Sequence, residues 1–254
     1  MLIAEQYKIN MNNDHLIYRD NVWDYKSFGF KVAEILEFTS NLDSHEVMRQ
    51  YIKESLNHNF HMSIVRVKQV ESLKRKILVN NSFEMVETSY SIFCNRSKLQ
   101  NLSMLNNKKI HIRKDCSLTE LQNLSESIFN HGRFAEDLYV DRKKSNLRYR
   151  NWCCDLYYGN KDRSFLFYKN KLIGFMFYER EENSAKLVLG GMDLNYSHLA
   201  HYFWSKVFAS LPEKTMIETM ISASNIGIVN LYFHFGFKIR DCVCGYRRFN
   251  VKRC

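Results

Sequence analysis

Between residues 164 and 249 the order of local signals leaves few folds open. Residues 164–169 and 172–178 are aromatic and β-branched runs joined by polar Asn170-Lys171, the signature of a hairpin. A third strand pattern covers 185–193 and contains the Gly190-Gly191 pair. Leu199, Phe203, Val207 and Leu211 then recur every four residues, the spacing of an amphipathic helix that Pro212 ends. Residues 215–221 read as a buried strand. Asn225 suits the N-cap and Gly236 the C′ position of a helix over 226–235, and 237–249 close with a long strand pattern. An antiparallel meander is thus followed by crossovers, which require parallel neighbours. The expectation is an α/β (α+β) fold on a mixed sheet.

The first half contains an echo of this ending. Residues 62–67 read as a strand and 71–79 as a helix. NNSFEMVETSYSIFC (80–94) then shares its layout with FGFKIRDCVCGYRR (235–248): a helix end, a phenylalanine, alternating apolar positions, a central acidic residue and a final strand. An internal tandem duplication follows as an expectation. The polar stretch 101–109 precedes apolar alternation at 110–113 and a helix pattern at 120–130, which sets the boundary between an accessory domain, 1–105, and a main domain, 106–254. Charge divides the same way. Residues 1–105 carry 13 basic against 12 acidic side chains, and residues 106–254 carry 24 against 15. A basic half suits an anionic partner or simple solubility. Lys74-Arg75-Lys76 and Arg142-Lys143-Lys144 are too short for a nucleic-acid tail, so nucleic acid is not the expected partner.

Hydrophobic residues at 45% and charged residues at 25% exclude a disordered chain. No apolar run approaches the roughly 18 residues of a bilayer span, and the N-terminus lacks a basic segment leading into an apolar one. No membrane insertion and a cytoplasmic setting are expected. The seven cysteines, an odd number without C-x-x-C spacing, suit a reducing compartment and predict no metal.

At 221–237 (ISASNIGIVNLYFHFGF) the sequence resembles the GNAT acyltransferase superfamily, whose pattern there is strand, asparagine, short helix, Leu-Tyr and Gly-Phe. Asn225, Leu231-Tyr232 and Gly236-Phe237 fall at matching positions. Trp23-Asp24 with Phe28-Gly29-Phe30 (WDYKSFGF), the 81–88 segment, and 131–152 with Arg133-Phe134, Asp141, Tyr149 and Trp152 resemble the dTDP-fucosamine acetyltransferases and related amino-sugar enzymes. The resemblance implies a GNAT fold with an N-terminal GNAT-like half. It also implies acetyl-CoA as donor and a nucleotide-linked amino deoxy-sugar as acceptor, for surface polysaccharide synthesis, with a homodimer admitted.

Aminolysis of a thioester needs a neutral amine, an oxyanion stabiliser and a proton donor for the leaving thiolate. The resemblance casts Tyr232 as that donor, the Gly191 N–H as the oxyanion group and Glu218 as a proton relay. It places Gly190, Met192, Leu194, Ser197, His198, Leu199, Ala200, Asn225 and Tyr232 on the cofactor. His131, Arg133, Asp141 and Tyr149 fall on the acceptor. Each has a plainer role open to it: Tyr232 as a core tyrosine, the glycine pair as a bulge, Asn225 as a cap, Glu218 as a strand-edge carboxylate, Trp23 and residues 28–30 as packing. The superfamily's Gln/Arg-x-x-Gly-x-Gly/Ala phosphate loop survives only at Ala200, with Asn195 for the arginine and His198 for the first glycine. Weak donor binding is the expectation. Two rivals keep the fold: acylation of a protein, peptide or other small amine, and a binding module that has lost catalysis.

Overall fold

A computed structural model describes residues 4–11, 13–39, 44–102, 109–159 and 161–250. The 105/106 boundary and Cys254 lie outside them. The first run of elements is β1 (Gln6–Met11), β2 (Asp14–Asp20), α1 (Val22–Phe28), β3 (Val32–Phe38), α2 (Ser44–Asn57), β4 (Met62–Lys68), α3 (Ser72–Asn80) and β5 (Glu84–Asn95). The second opens with β6 (Ile110–Arg113), α4 (Leu118–Ile128), α5 (Arg142–Tyr158), β7 (Asp162–Tyr168), β8 (Lys171–Arg180) and β9 (Ser184–Met192). A 3-10 segment (Leu194–Leu199), α6 (Ala200–Ala209), β10 (Met216–Ser222), α7 (Ile226–His234) and β11 (Lys238–Phe249) complete it. In each run an antiparallel meander, β1-β2-β3 or β7-β8-β9, is followed by a helix and a strand parallel to the meander's last. A second helix and a final strand then close the run.

The chain forms two compact units that are not contiguous in sequence. One takes the described residues of Met1–Ser89, Gly132–Arg148 and Asp241–Cys254, the other those of Tyr90–His131 and Tyr149–Arg240. In the first unit the strand order is β1-β2-β3-β4-β11. There β11 runs antiparallel to β4, from Val243 opposite Lys68 to Phe249 opposite Met62. In the second unit the order is β5-β10-β9-β8-β7-β6, with β5 contributing its later residues. Each unit therefore holds the closing strand of the other repeat.

Helices cover both faces of the second unit's sheet. Leu166, Ile173, Met176 and Leu187 pack with Phe203, Trp204, Val207 and Tyr232 of α6 and α7. Phe165, Phe175 and Phe177 pack with Leu121, Leu124, Tyr149 and Cys153 of α4 and α5. With both faces covered, β8 is a nearly continuous apolar run. In the first unit Leu16, Tyr18, Ile35 and Val65 join Val47, Met48 and Tyr51 of α2 in one core. A smaller cluster gathers Phe28, Val32, Ile64 and Phe134.

The segments WDYKSFGF and Arg133-Phe134 meet in that smaller cluster. Phe28 and Phe134 have ring centroids 4.9 Å apart, and the Arg148 guanidinium lies 4.7 Å from the Phe134 ring while its Nε donates to Asp24 Oδ1 at 2.5 Å. Gly29, at φ +75°, turns the chain out of α1. Trp23 departs from its expected packing role: it is 43% exposed, with Arg19 beside its ring. The six described cysteines are free thiols.

Candidate active site

The parallel ladder between β9 and β10 is short. It runs from Ser184 opposite Met216 to Lys186 opposite Glu218 and stops, although β9 continues to Met192 and β10 to Ser222. Thr219 Oγ1 donates to the Leu187 carbonyl at 3.1 Å, satisfying the acceptor just past the break. Beyond it the two strands part, and the β9 edge from Val188 onward has no partner on β10. Such an edge offers backbone N–H and C=O groups to whatever enters the opening.

Gly190 and Gly191 lie on this edge, paired on the other side with Met176 and Phe175 of β8. A Cβ at Gly191 would sit 2.4 Å from Ile128 Cδ1 and 3.4 Å from Phe129 Cζ, so the end of α4 rests directly on the glycine. Phe129 stacks on Tyr149 with centroids 4.2 Å apart, and Tyr149 Oη donates to the His131 carbonyl at 3.3 Å. His131 Nδ1 lies 3.1 Å from Ser224 Oγ, which lies 2.8 Å from Ser222 Oγ at the end of β10. Residues 128–131 thus touch both arms of the opening.

The sequence-predicted residues divide. Gly190, Gly191, Met192, His131 and Tyr149 gather around the opening. Ser197 and His198 are exposed in the 3-10 segment, Leu194 is exposed ahead of them, and Leu199 is buried. Asn225 caps α7, its Oδ1 accepting from Ile228 N at 3.2 Å. Glu218 stands at the last rung of the ladder and is ion-paired with Arg240 Nη2 at 2.7 Å. Arg133 and Asp141 belong to the other unit. Asp141 Oδ1 accepts from the Lys143 and Lys144 N–H groups at the start of α5. The Arg133 side chain is buried, with Nη1 unpartnered. Burial and then the neighbouring Arg66 charge push that guanidinium down to about 10.

Asp193, which sequence reasoning did not single out, caps the 3-10 segment. Its Oδ1 accepts from Asn195 N at 3.0 Å and its Oδ2 from Lys171 Nζ at 3.1 Å. Burial raises this carboxyl's pKa, but the Asn195 and Lys171 contacts outweigh it and hold the group below the ordinary range. A fixed negative charge therefore stands at the head of the 3-10 segment. The signal was an acidic residue immediately before Leu194-Asn195, a common capping arrangement.

Tyr232 is 3% exposed. Its hydroxyl accepts from Trp204 Nε1 at 3.0 Å, between rings of Phe208 and Phe237. Burial drives the phenol's pKa well up, only partly offset by the indole N–H. A phenol harder to ionise is a poorer donor to a thiolate, so these surroundings lend the expected acid role no support. Tyr232→Phe is expected to cost about 1–3 kcal/mol, because the Trp204 N–H loses its acceptor in a buried place. Thermal melts check this, and a fall in turnover of two orders of magnitude or more without loss of stability would support the acid assignment.

No family model and no curated protein matches the sequence. Solved structures do. One is a functionally unknown conserved protein from Staphylococcus epidermidis, with TM-score 0.65 and 9% identity, covering 98% of this chain and 96% of that one. A tandem GNAT protein from the clavulanic acid biosynthesis pathway gives TM-score 0.63 at 9% identity, over 99% and 85%. A GCN5-related N-acetyltransferase from Sphaerobacter thermophilus gives TM-score 0.65 at 8% identity, over 97% and 84%. At such identities the likeness is one of fold. The fold is that of GNAT acyltransferases, repeated along the chain.

Proposed function

We propose that the protein is an acyl-CoA-dependent N-acyltransferase working in the cytoplasm. The observation that carries this assignment is the parting of β9 from β10, with two glycines on the open edge and the end of α4 across them. The residues present fit a thioester donor: Gly190, Gly191 and Met192 would hold its extended arm by backbone groups, and the Ser197–Ala200 turn its phosphates. A CoA thioester supplies an activated acyl carbonyl. The chain's part is to bind it, orient an amine and remove a proton.

The acceptor we infer is an amine on a nucleotide-linked amino deoxy-sugar. The sequence resemblance over 131–152 supports it, with His131 and Tyr149 at the opening and Arg133 and Asp141 in the other unit. The 105/106 boundary is retained as the proposed junction of the two repeats. Acceptor class is tested by following thiol release from acetyl-CoA with a dTDP-linked 4-amino sugar, spermidine and a lysine-containing peptide. Preference for the peptide or spermidine would replace the sugar assignment.

One observation favours the non-catalytic rival: the Asp193 carboxylate at the turn. Asp193→Asn keeps a good cap while removing the charge. It should tighten acetyl-CoA binding by roughly two- to five-fold, the size of a charge effect of about 0.3–1 kcal/mol at a helix end. Calorimetry measures it. Failure of both wild type and variant to bind at millimolar acetyl-CoA would make the protein a binding module.

A further inference from the structure

We propose that Ser222, Ser224 and His131 form a proton wire that carries the acceptor's proton away from the open end of the β9–β10 divergence. The proposal rests on the acyltransferase assignment. An amine reaches the site largely as an ammonium and must lose a proton before its nitrogen can attack a thioester. The carboxylate expected to take it, Glu218, is the sole acidic residue of β10 and is held by Arg240 Nη2 at 2.7 Å at the last rung of the ladder. The two hydroxyls and the imidazole stand instead where the strand ends.

The two contacts, 2.8 Å between Ser222 Oγ and Ser224 Oγ and 3.1 Å between Ser224 Oγ and His131 Nδ1, can run in either direction. The wire uses the one in which Ser222 donates to Ser224 and Ser224 donates to Nδ1. A hydroxyl can give one proton while accepting another, so each serine passes the charge without keeping it. The acceptor's proton goes to Ser222 Oγ, the Ser222 proton to Ser224 Oγ, and the Ser224 proton to Nδ1. One N–H bond breaks at the acceptor and one forms at the ring, leaving an amine and an imidazolium. Histidine is the side chain best suited to take up and release a proton near neutrality. His131 is half-exposed and can return that proton to water.

The parts are fixed by neighbours outside the wire. Asn225 follows Ser224 and is locked as the cap of α7. Tyr149 Oη holds the His131 carbonyl, and Tyr149 is itself stacked on Phe129. Phe129 lies over Gly191, so the ring that receives the proton and the edge assigned to the thioester share one support.

Two measurements test the wire. In protein labelled with ¹⁵N-histidine, neutral His131 should show the Nε2–H tautomer with Nδ1 as acceptor, and the Nδ1 signal should shift in Ser224→Ala. This readout needs neither donor nor acceptor; an Nδ1–H tautomer overturns the proposal. In turnover with acetyl-CoA and the best amine of the panel above, His131→Asn and Ser224→Ala should lower kcat by about 10²-fold or more, the usual worth of a positioned base. Ser224→Thr, which keeps the hydroxyl, should stay within a few-fold, and added imidazole should restore part of the activity of His131→Ala. Acetyl-CoA affinity by calorimetry should not change in any of them. Variants that bind acetyl-CoA and turn over like wild type overturn the wire and leave the acyltransferase assignment standing. Absence of acetyl-CoA binding by wild type overturns the assignment, and the wire with it.

Discussion

Asp137→Ala should lower the stability of the protein by about 3–5 kcal/mol, the cost of leaving a buried charge without its partner. Arg247 of β11 has a side chain only 2% exposed, and Asp137 meets it with both oxygens, Oδ2 at 2.7 Å from Nε and Oδ1 at 2.9 Å from Nη2. Glu84 reaches the same guanidinium at 3.1 Å but is 57% exposed, so it replaces little of what is lost. The rings of Phe249 and Tyr139, 4.6 and 5.2 Å away, cannot neutralise a charge. Urea denaturation gives the number. The double variant Asp137→Leu with Arg247→Met removes both charges and should cost less than Asp137→Ala alone. A loss below about 1 kcal/mol in the single variant would show that Glu84 suffices.

The largest effect on activity is expected at Gly191. Gly191→Val places branched carbons where Ile128 Cδ1 stands 2.4 Å from an ideal Cβ, with Phe129 Cζ at 3.4 Å. The end of α4 has to lift, and His131 moves with it. Displacing a positioned group by about 1 Å costs roughly 100-fold in rate, and turnover should fall at least that far. Gly191→Ala is milder, since the Ile128 terminal methyl can rotate away from a single carbon. Steady-state kinetics on both variants, alongside melting curves, separates a lifted α4 from a general loss of fold. Equal turnover in Gly191→Val and wild type would detach this edge from the chemistry.

Much of the second repeat was legible because its burial follows simple periods. Leu199, Phe203 and Val207 do line the buried side of α6 and the preceding turn, and the glycine pair ends β9 as expected. α5 was not read as a helix. Its buried positions, Ser145, Tyr149, Cys153 and Leu156, have helical spacing but only one aliphatic side chain, so no apolar stripe shows. The elements before Met62 were also missed, although Leu16 and Tyr18 alternate and Val47, Met48 and Tyr51 mark one face of α2. Those runs are short and interrupted by charges.

The candidate site was legible only in part. Motif spacing located the glycine pair, Asn225 and His131, but the partner of each side chain was out of reach. That Tyr232 answers to Trp204 and Glu218 to Arg240 depends on contacts that no local pattern encodes. Ser222, the last residue of β10, and Ser224, in the turn after it, carry no signal because serine is common at turns.

The pairing of β11 with β4 bears on how the protein comes into being on the ribosome. Val243 must find Lys68, and Phe249 must find Met62, after nearly all the intervening chain has been made. β4 therefore spends most of its synthesis with one edge bare, a state in which unpaired N–H and C=O groups invite wrong partners. Contacts so distant along the chain also close slowly. The basic and acidic residues along that edge, Arg66 and Lys68 on β4 and the nearby Glu87, are the kind of side chain that keeps a waiting strand from joining a stranger. Synthesis of β11 is then the event that lets the first unit close on β4.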